Sequence, residues 1–404
     1  MARAEDWPQW RGPARTGHVP VGVSVPETLP GSPKVLWHIP LGNGLSSPVV
    51  SGGKVFYLDN QQNKETVHAA DVNSGKVLWS MPLDVVHKDS QSPPGPRCTP
   101  VVDGERVYAQ SCRGQLTCFG ADDGKVIWQT NFVKDFGATF IGERGQAQGA
   151  TRHGYNASPI VDGDHLIAEV GGRDGAEVVC FDKITEKVVW RSGDGTPGYA
   201  SPLIADLAGA RQLITFMADG VAAFDPADGH ALWRVPVKTA LGRHATTPLI
   251  SGDIVCVASH QAGLIGIQVT KGSEGFSARA IWTAKDLAIN FSSPVEVNGY
   301  LYGVGPRADL ICVEMKTGKR VWSQERLFSG NPGNAYGGFV VMGERILLLT
   351  DGGRLILFDA DPAKFHEIAR AQVCGQNWCN PAYANGNLYL RDNRELWCVR
   401  LVSP

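Results

Sequence analysis

The strongest constraint on this chain is a unit that recurs eight times along its 404 residues. The typical copy opens at a small residue followed by Pro, runs into an apolar strand, turns at a Gly and closes near a Trp. The openings include SSPVVSGGKVFYLD from Ser46, CTPVVDGERVYAQ from Cys98, ASPIVDGDHLIAEV from Ala157 and TTPLISGDIVCVAS from Thr246, with looser copies from Ala200, Ser292, Gly337 and Asn380. Each reads as two alternating strands around a tight turn. The closings, such as AADVNSGKVLW to Trp79 and CFGADDGKVIW to Trp128, read as a third strand, a turn and a fourth strand.

Pro48, Pro100, Pro159, Pro202, Pro248 and Pro294 lie roughly 43 to 59 residues apart, the length of one four-stranded blade. A lone blade cannot bury both faces, whereas a ring of blades can. The expectation is an all-β, eight-bladed β-propeller with four antiparallel strands per blade. KVLWHIP around Trp37 is a fourth strand with no opening before it, and the last unit stops after a third strand near Leu401. Pairing the two closes the ring and removes the exposed strand edge that invites aggregation. The domain expectation is an N-terminal extension over 1–32 and a single propeller over 33–404.

The repeat, with its small residue, Asp, Gly-Lys and closing Trp, resembles the quinoprotein-type (PQQ-like) β-propeller repeat, from about Lys34 to Leu401. The resemblance implies that Trp37, Trp79, Trp128, Trp190, Trp233, Trp282 and Trp322 each dock against the adjacent blade. The seventh copy, FDADPAKFHEIA, has no such Trp and should dock more weakly. DWPQWRGPARTGH at the start is similar to the opening of secreted bacterial members of this class.

Composition removes several function classes. With Lys+Arg 38 against Asp+Glu 40 and a formal charge of -2, the chain lacks the basic footprint of a nucleic-acid binder. No apolar run approaches a membrane-spanning length. Ala2-Arg3-Ala4 reads like the tail of a signal-peptide cleavage site, which places the protein in the periplasm or outside the cell. No Cys stands near the start to carry a lipid anchor.

Nine Cys cannot all pair within one chain. Cys118, Cys180, Cys312 and Cys398 fall where other copies have Ala69 and Ala223, and read as small buried residues. Cys98 with Cys112, and Cys374 with Cys379, are spaced so that a disulfide is geometrically possible. Neither spacing supplies a zinc site, and no metal is expected.

Propellers bind ligands at one mouth, where the segments leading into the inner strands meet the turns between second and third strands. Reading the copies in register gives an aromatic, amide-rich ring that includes Arg97, Tyr155, Asn156, Tyr199, Arg243, His244, Asn290, Phe291, Tyr336, Asn377 and Trp378. Flat rings beside amides and Arg suit a flat or sugar-like ligand. The outer turns add Arg113, Glu169, Asp219 and His260. Segments 81–97 and 130–156 are longer than the repeat requires, and long ordered loops are often functional; the second contributes Arg152, His153 and Tyr155.

Three function classes follow. The first is a ligand-binding or assembly-scaffold propeller of the bacterial envelope, its partners a small molecule or glycan at the mouth, or envelope proteins. Members of the class such as the propeller lipoprotein of the outer-membrane β-barrel assembly machinery imply protein partners. The second is a carbohydrate-active lyase or hydrolase with Glu169, Asp219, His260 or His153 as acid and base. The third, implied by the resemblance, is a dehydrogenase using pyrroloquinoline quinone with calcium. It is disfavoured: the family's adjacent Cys-Cys pair is missing, and the inner-strand loops offer Asn but no carboxylate for calcium. No cofactor is expected.

Overall fold

The computed structural model describes residues 6–90 and 92–402, and the Ala2-Arg3-Ala4 segment lies outside them. Eight four-stranded antiparallel sheets form a ring, an eight-bladed β-propeller. Blades 1 to 7 cover residues 49–85, 101–131, 160–192, 203–236, 249–284, 295–324 and 337–372. Blade 8 combines three C-terminal strands with Lys34–Pro40, which pairs antiparallel with Glu395–Arg400 from Lys34 opposite Arg400 to Pro40 opposite Glu395. The ring closes as the sequence implies.

The small-Pro step earns its place at the axis, where inner strands converge and large side chains would collide. Its hydroxyls also join the blades. Backbone N–H groups donate from Asn380 to Ser47 (3.0 Å), Ser47 to Thr99 (3.2 Å), Thr99 to Ser158 (2.8 Å), Ser158 to Ser201 (2.9 Å) and Thr247 to Ser293 (3.0 Å). Each bond crosses a seam, so inner-strand donors that no sheet neighbour can reach are satisfied. Apolar faces pack between blades: Tyr108, Leu116 and Trp128 of blade 2 bury against Leu166, Val179 and Phe181 of blade 3.

The closing Trp explains three features of the repeat together. Its indole N–H donates to a turn carbonyl of the next blade: Trp37 to Val72, Trp79 to Ala121, Trp128 to Lys183, Trp190 to Pro226, Trp282 to Met315 and Trp322 to Asp361, all at 3.0–3.1 Å. At four of these six turns its ring covers a Gly, namely Gly75, Gly124, Gly229 or Gly318, whereas the turns under Trp128 and Trp322 have none. At Gly229 (φ 76°) a Cβ would come within 2.4 Å of Trp190, and at Gly318 (φ 71°) within 2.5 Å of Trp282. Left-handed backbone and lack of space both demand Gly there. Opposite each Trp on the third strand sits a small residue, namely Ala69, Cys118, Cys180, Ala223, Gly266, Cys312 or Cys398. Blade 7 reverses the sizes, with Leu357 opposite Ala369. The turn on which a blade 7 Trp would dock does not exist, because blade 8 is broken there between its two chain ends.

Residues 7–24 thread the channel. Trp7 bridges Val50 of blade 1, and the Pro8 carbonyl accepts from Val102 of blade 2 at 2.8 Å. Arg15 donates to the Ser158 carbonyl (2.9 Å), Trp10 to the Thr247 hydroxyl (2.9 Å), Arg11 to the Pro294 carbonyl (2.5 Å) and His18 to the Glu296 carbonyl (2.8 Å). Val19 bonds Val341, and Tyr383 donates to the Ser24 carbonyl. The segment is therefore a plug tied to inner strands around the ring.

The nine Cys are free thiols, which corrects the disulfides the spacing allowed. The sulfurs face separate partners: Cys98 the Tyr155 carbonyl (3.2 Å), Cys112 the Gly95 carbonyl (3.7 Å), Cys379 the Leu45 carbonyl (3.2 Å) and Cys374 the Gly375 carbonyl (3.4 Å).

Candidate functional site

At the face where the chain enters the inner strands, a cavity of about 270 Å³ opens on the axis. Its wall includes Leu45, Arg97, Asn156, Tyr199, Ala245, Phe291, Tyr336 and Trp378, the residues three positions before the inner-strand Pro, or before Phe339 in the copy that lacks a Pro. Side chains alternate along extended backbone, so this register position points inward while the preceding one turns into the wall. Ser92, His153, Arg243 and Asn334 complete the rim, Ser158 and Ser201 lie deeper, and Trp10 of the plug contributes from the channel. Tyr336 and Trp378 stack at 5.8 Å with 14° between planes, and Phe291 lies 5.2 Å from Trp378. The wall is an aromatic shelf.

The two long segments meet on one carboxylate. Asp89 takes a two-pronged ion pair from Arg97, both contacts at 2.9 Å, and accepts from His153 Nδ1 at 3.2 Å, with His87 Nε2 at 3.5 Å. Burial alone would raise the Asp89 pKa, but the bonds from His153, His87 and Arg97 hold it well below the usual carboxylate range. Arg97 also reaches the Ser92 hydroxyl (2.7 Å) and the His153 carbonyl (3.0 Å). Glu143 accepts from the Ser90 N–H at 3.0 Å, and Tyr199 donates to the Gly149 carbonyl at 2.6 Å. These bonds lock both segments over the rim. Beneath them Glu65 is buried at blade 1, which raises its pKa to about 8.

Of the residues expected at the mouth, Arg97, His153, Asn156, Tyr199, Arg243, Phe291, Tyr336 and Trp378 line the cavity together. Tyr155, His244 and Asn377 are buried in the wall, donating or bonding to the carbonyls of Val170 (2.7 Å), Met217 (2.6 Å) and Thr350 (2.7 Å). Asn290 bonds the Gly333 carbonyl at 3.0 Å, Arg113 is exposed on its turn, and His260 sits beside Arg243. Asp219 pairs with Arg234 at 3.1 Å on the outer part of blade 4. Glu169 is buried, its pKa raised by burial and by Glu177 while the charge of Arg15 in the plug opposes the rise. Burial lowers Arg15 itself to about 9. Among the described residues no three of His, Cys, Asp or Glu gather as a metal site, so His153, His244 and His260 do not converge.

Sequence reasoning missed Asp89 and Trp10. Asp89 lies in a segment recognised only by its length, and Trp10 reaches the cavity through a plug that no repeat register encodes.

Residues 63–324 match the PQQ_2 family, described as outer membrane protein assembly factor BamB. The chain belongs to that family. The assembly factor BamB of Yersinia pestis is 22% identical over 303 residues, covering 72% of this chain and 71% of that protein. Among solved structures, BamB from Moraxella catarrhalis matches with a TM-score of 0.59 at 16% identity, over 92% of this chain and 98% of that one. Quinohemoprotein alcohol dehydrogenase from Comamonas testosteroni matches with a TM-score of 0.66 at 14% identity, over 100% of this chain and 82% of that one. These likenesses establish a shared PQQ-repeat propeller, which hosts more than one function.

Calcium with a quinone does not fit this mouth. Calcium needs six to eight oxygens, several from carboxylates, and among the described residues no Asp or Glu lines the cavity. Asp89, which holds the rim residues Arg97 and His153, is engaged by both.

Proposed function

We propose that this PQQ_2 propeller works in the bacterial envelope by binding a small molecule or glycan at its mouth. One observation carries the reading: the channel is plugged from within, so the mouth is a concave, mostly apolar pocket with a few polar groups rather than a pore. Ligand sites have that character. A family likeness to BamB supports the envelope location. Glu169 and Asp219 lie off the cavity wall, so the lyase or hydrolase alternative has no carboxylate pair at the mouth.

A thermal-shift screen of sugars, sugar acids and aromatic acids tests the reading, with Trp378→Ala as control. Compounds that raise the wild-type melting temperature and fail to raise that of the variant support it. Shifts of equal size in both proteins contradict it.

The BamB family match favours a second reading, an assembly scaffold with envelope-protein partners. Affinity capture from envelope extract discriminates the two. Stoichiometric recovery of one envelope protein, undiminished by Trp378→Ala, supports the scaffold.

A further inference from the structure

We infer that the mouth takes a ring compound carrying a carboxylate, with Arg243 receiving the carboxylate. The inference rests on the mouth being a ligand site and names what that site selects.

Charge is the first argument. Among the described residues two arginines line the cavity and no carboxylate does. Arg97 is consumed by Asp89, Ser92 and the His153 carbonyl. The half-buried Arg243 guanidinium has no hydrogen bond or ion pair among the described residues, although aromatic and amide groups surround it. A guanidinium at the wall of an apolar cavity pairs well with a planar anion, and its fork of donors matches a carboxylate.

Shape completes the case. The stacked Tyr336 and Trp378 rings, with Phe291 beside them, form a flat apolar wall. The volume of about 270 Å³ suits one ring rather than a long chain. Sugar acids and hydroxylated aromatic acids share this chemistry.

Isothermal titration of the full chain separates the two sources, using D-galacturonate and 4-hydroxybenzoate beside their neutral counterparts, D-galactose and 4-hydroxybenzamide. At least one acid is expected to bind tenfold or more tightly than its counterpart. Arg243→Gln should erase that preference. The acid against neutral comparison needs no variant, so it holds even if a substitution disturbs folding. Equal binding of acid and neutral compounds, or acid binding that survives Arg243→Gln, overturns the inference. If the neutral compounds bind and lose that binding in Trp378→Ala, the mouth remains a ligand site while the carboxylate assignment falls. If none of the four binds, both fall.

Discussion

Trp233 donates its indole N–H to Gln212 of its own blade at 2.7 Å, where the other docking tryptophans reach a turn carbonyl of the next blade. The cause lies in blade 5. Its third and fourth strands run on as a long hairpin, Gly263–Gly272 and Gly275–Ala284, so no tight turn stands where the others dock. Gln212, fully buried, replaces that turn as acceptor and fixes itself by donating to the Leu207 carbonyl at 2.9 Å.

Replacing Gln212 with Met should therefore strand a buried indole N–H. A loss of about 1–3 kcal/mol is expected, measured by chemical denaturation. An unchanged midpoint would show that the bond contributes nothing.

The plug and the closing strand can be separated by truncation. A chain lacking residues 1–32 keeps Lys34–Pro40 and should fold with a lower melting temperature. One lacking residues 1–40 exposes the edge of Glu395–Arg400 and should aggregate. Equal melting of the longer truncation and the full chain would contradict closure by that strand.

Much of this architecture is legible in the sequence because each of its parts is a local demand repeated at every blade. The docking Trp needs a small residue on its own third strand, so Cys180 with Trp190 or Ala69 with Trp79 can be read without coordinates, and four of the six docking turns also show a Gly under the ring. The cavity wall was legible for the same reason, since one register position points inward. The neighbouring position, with Tyr155, His244 and Asn377, was harder: period-two alternation places these side chains in the wall. Asp89 and Trp10 carry no repeat signal, because their positions depend on how a long loop and the plug fold over a finished ring.

Asp89 should prove the keystone of the rim. Asp89→Asn leaves the Arg97 guanidinium without its counterion in a site where that side chain is 8% exposed. Breaking such a pair costs about 3–5 kcal/mol. Hydrogen exchange should rise across residues 86–90 and 138–153, and exchange confined to position 89 would argue against a shared clamp.

Acid stability should carry the mark of His244. Burial, then the charge of His260, lowers its pKa to about 4, while the bond to the Met217 carbonyl and Asp219 oppose this. Between about pH 6.5 and 4 the unfolded chain binds a proton that the folded chain refuses. Stability from this site is complete above that window and lost as pH falls through it, by on the order of 3 kcal/mol. Glu65, raised to about 8 by burial, tilts the other way as pH rises from about 4.5 to 8. His244→Asn should flatten the acid limb of a denaturation-against-pH curve. An acid limb as steep as wild type would refute the assignment.

The mouth as binding site is tested most directly by fluorine NMR of protein labelled with 5-fluorotryptophan, titrated with the compound that gives the largest thermal shift. Trp10 and Trp378 line the cavity, whereas Trp79, Trp128, Trp190 and Trp233 close blades away from it. The resonances of Trp10 and Trp378 should move together with one saturation curve while the blade tryptophans stay fixed. Movement of the blade resonances with Trp10 and Trp378 unchanged would place the ligand elsewhere and contradict the account.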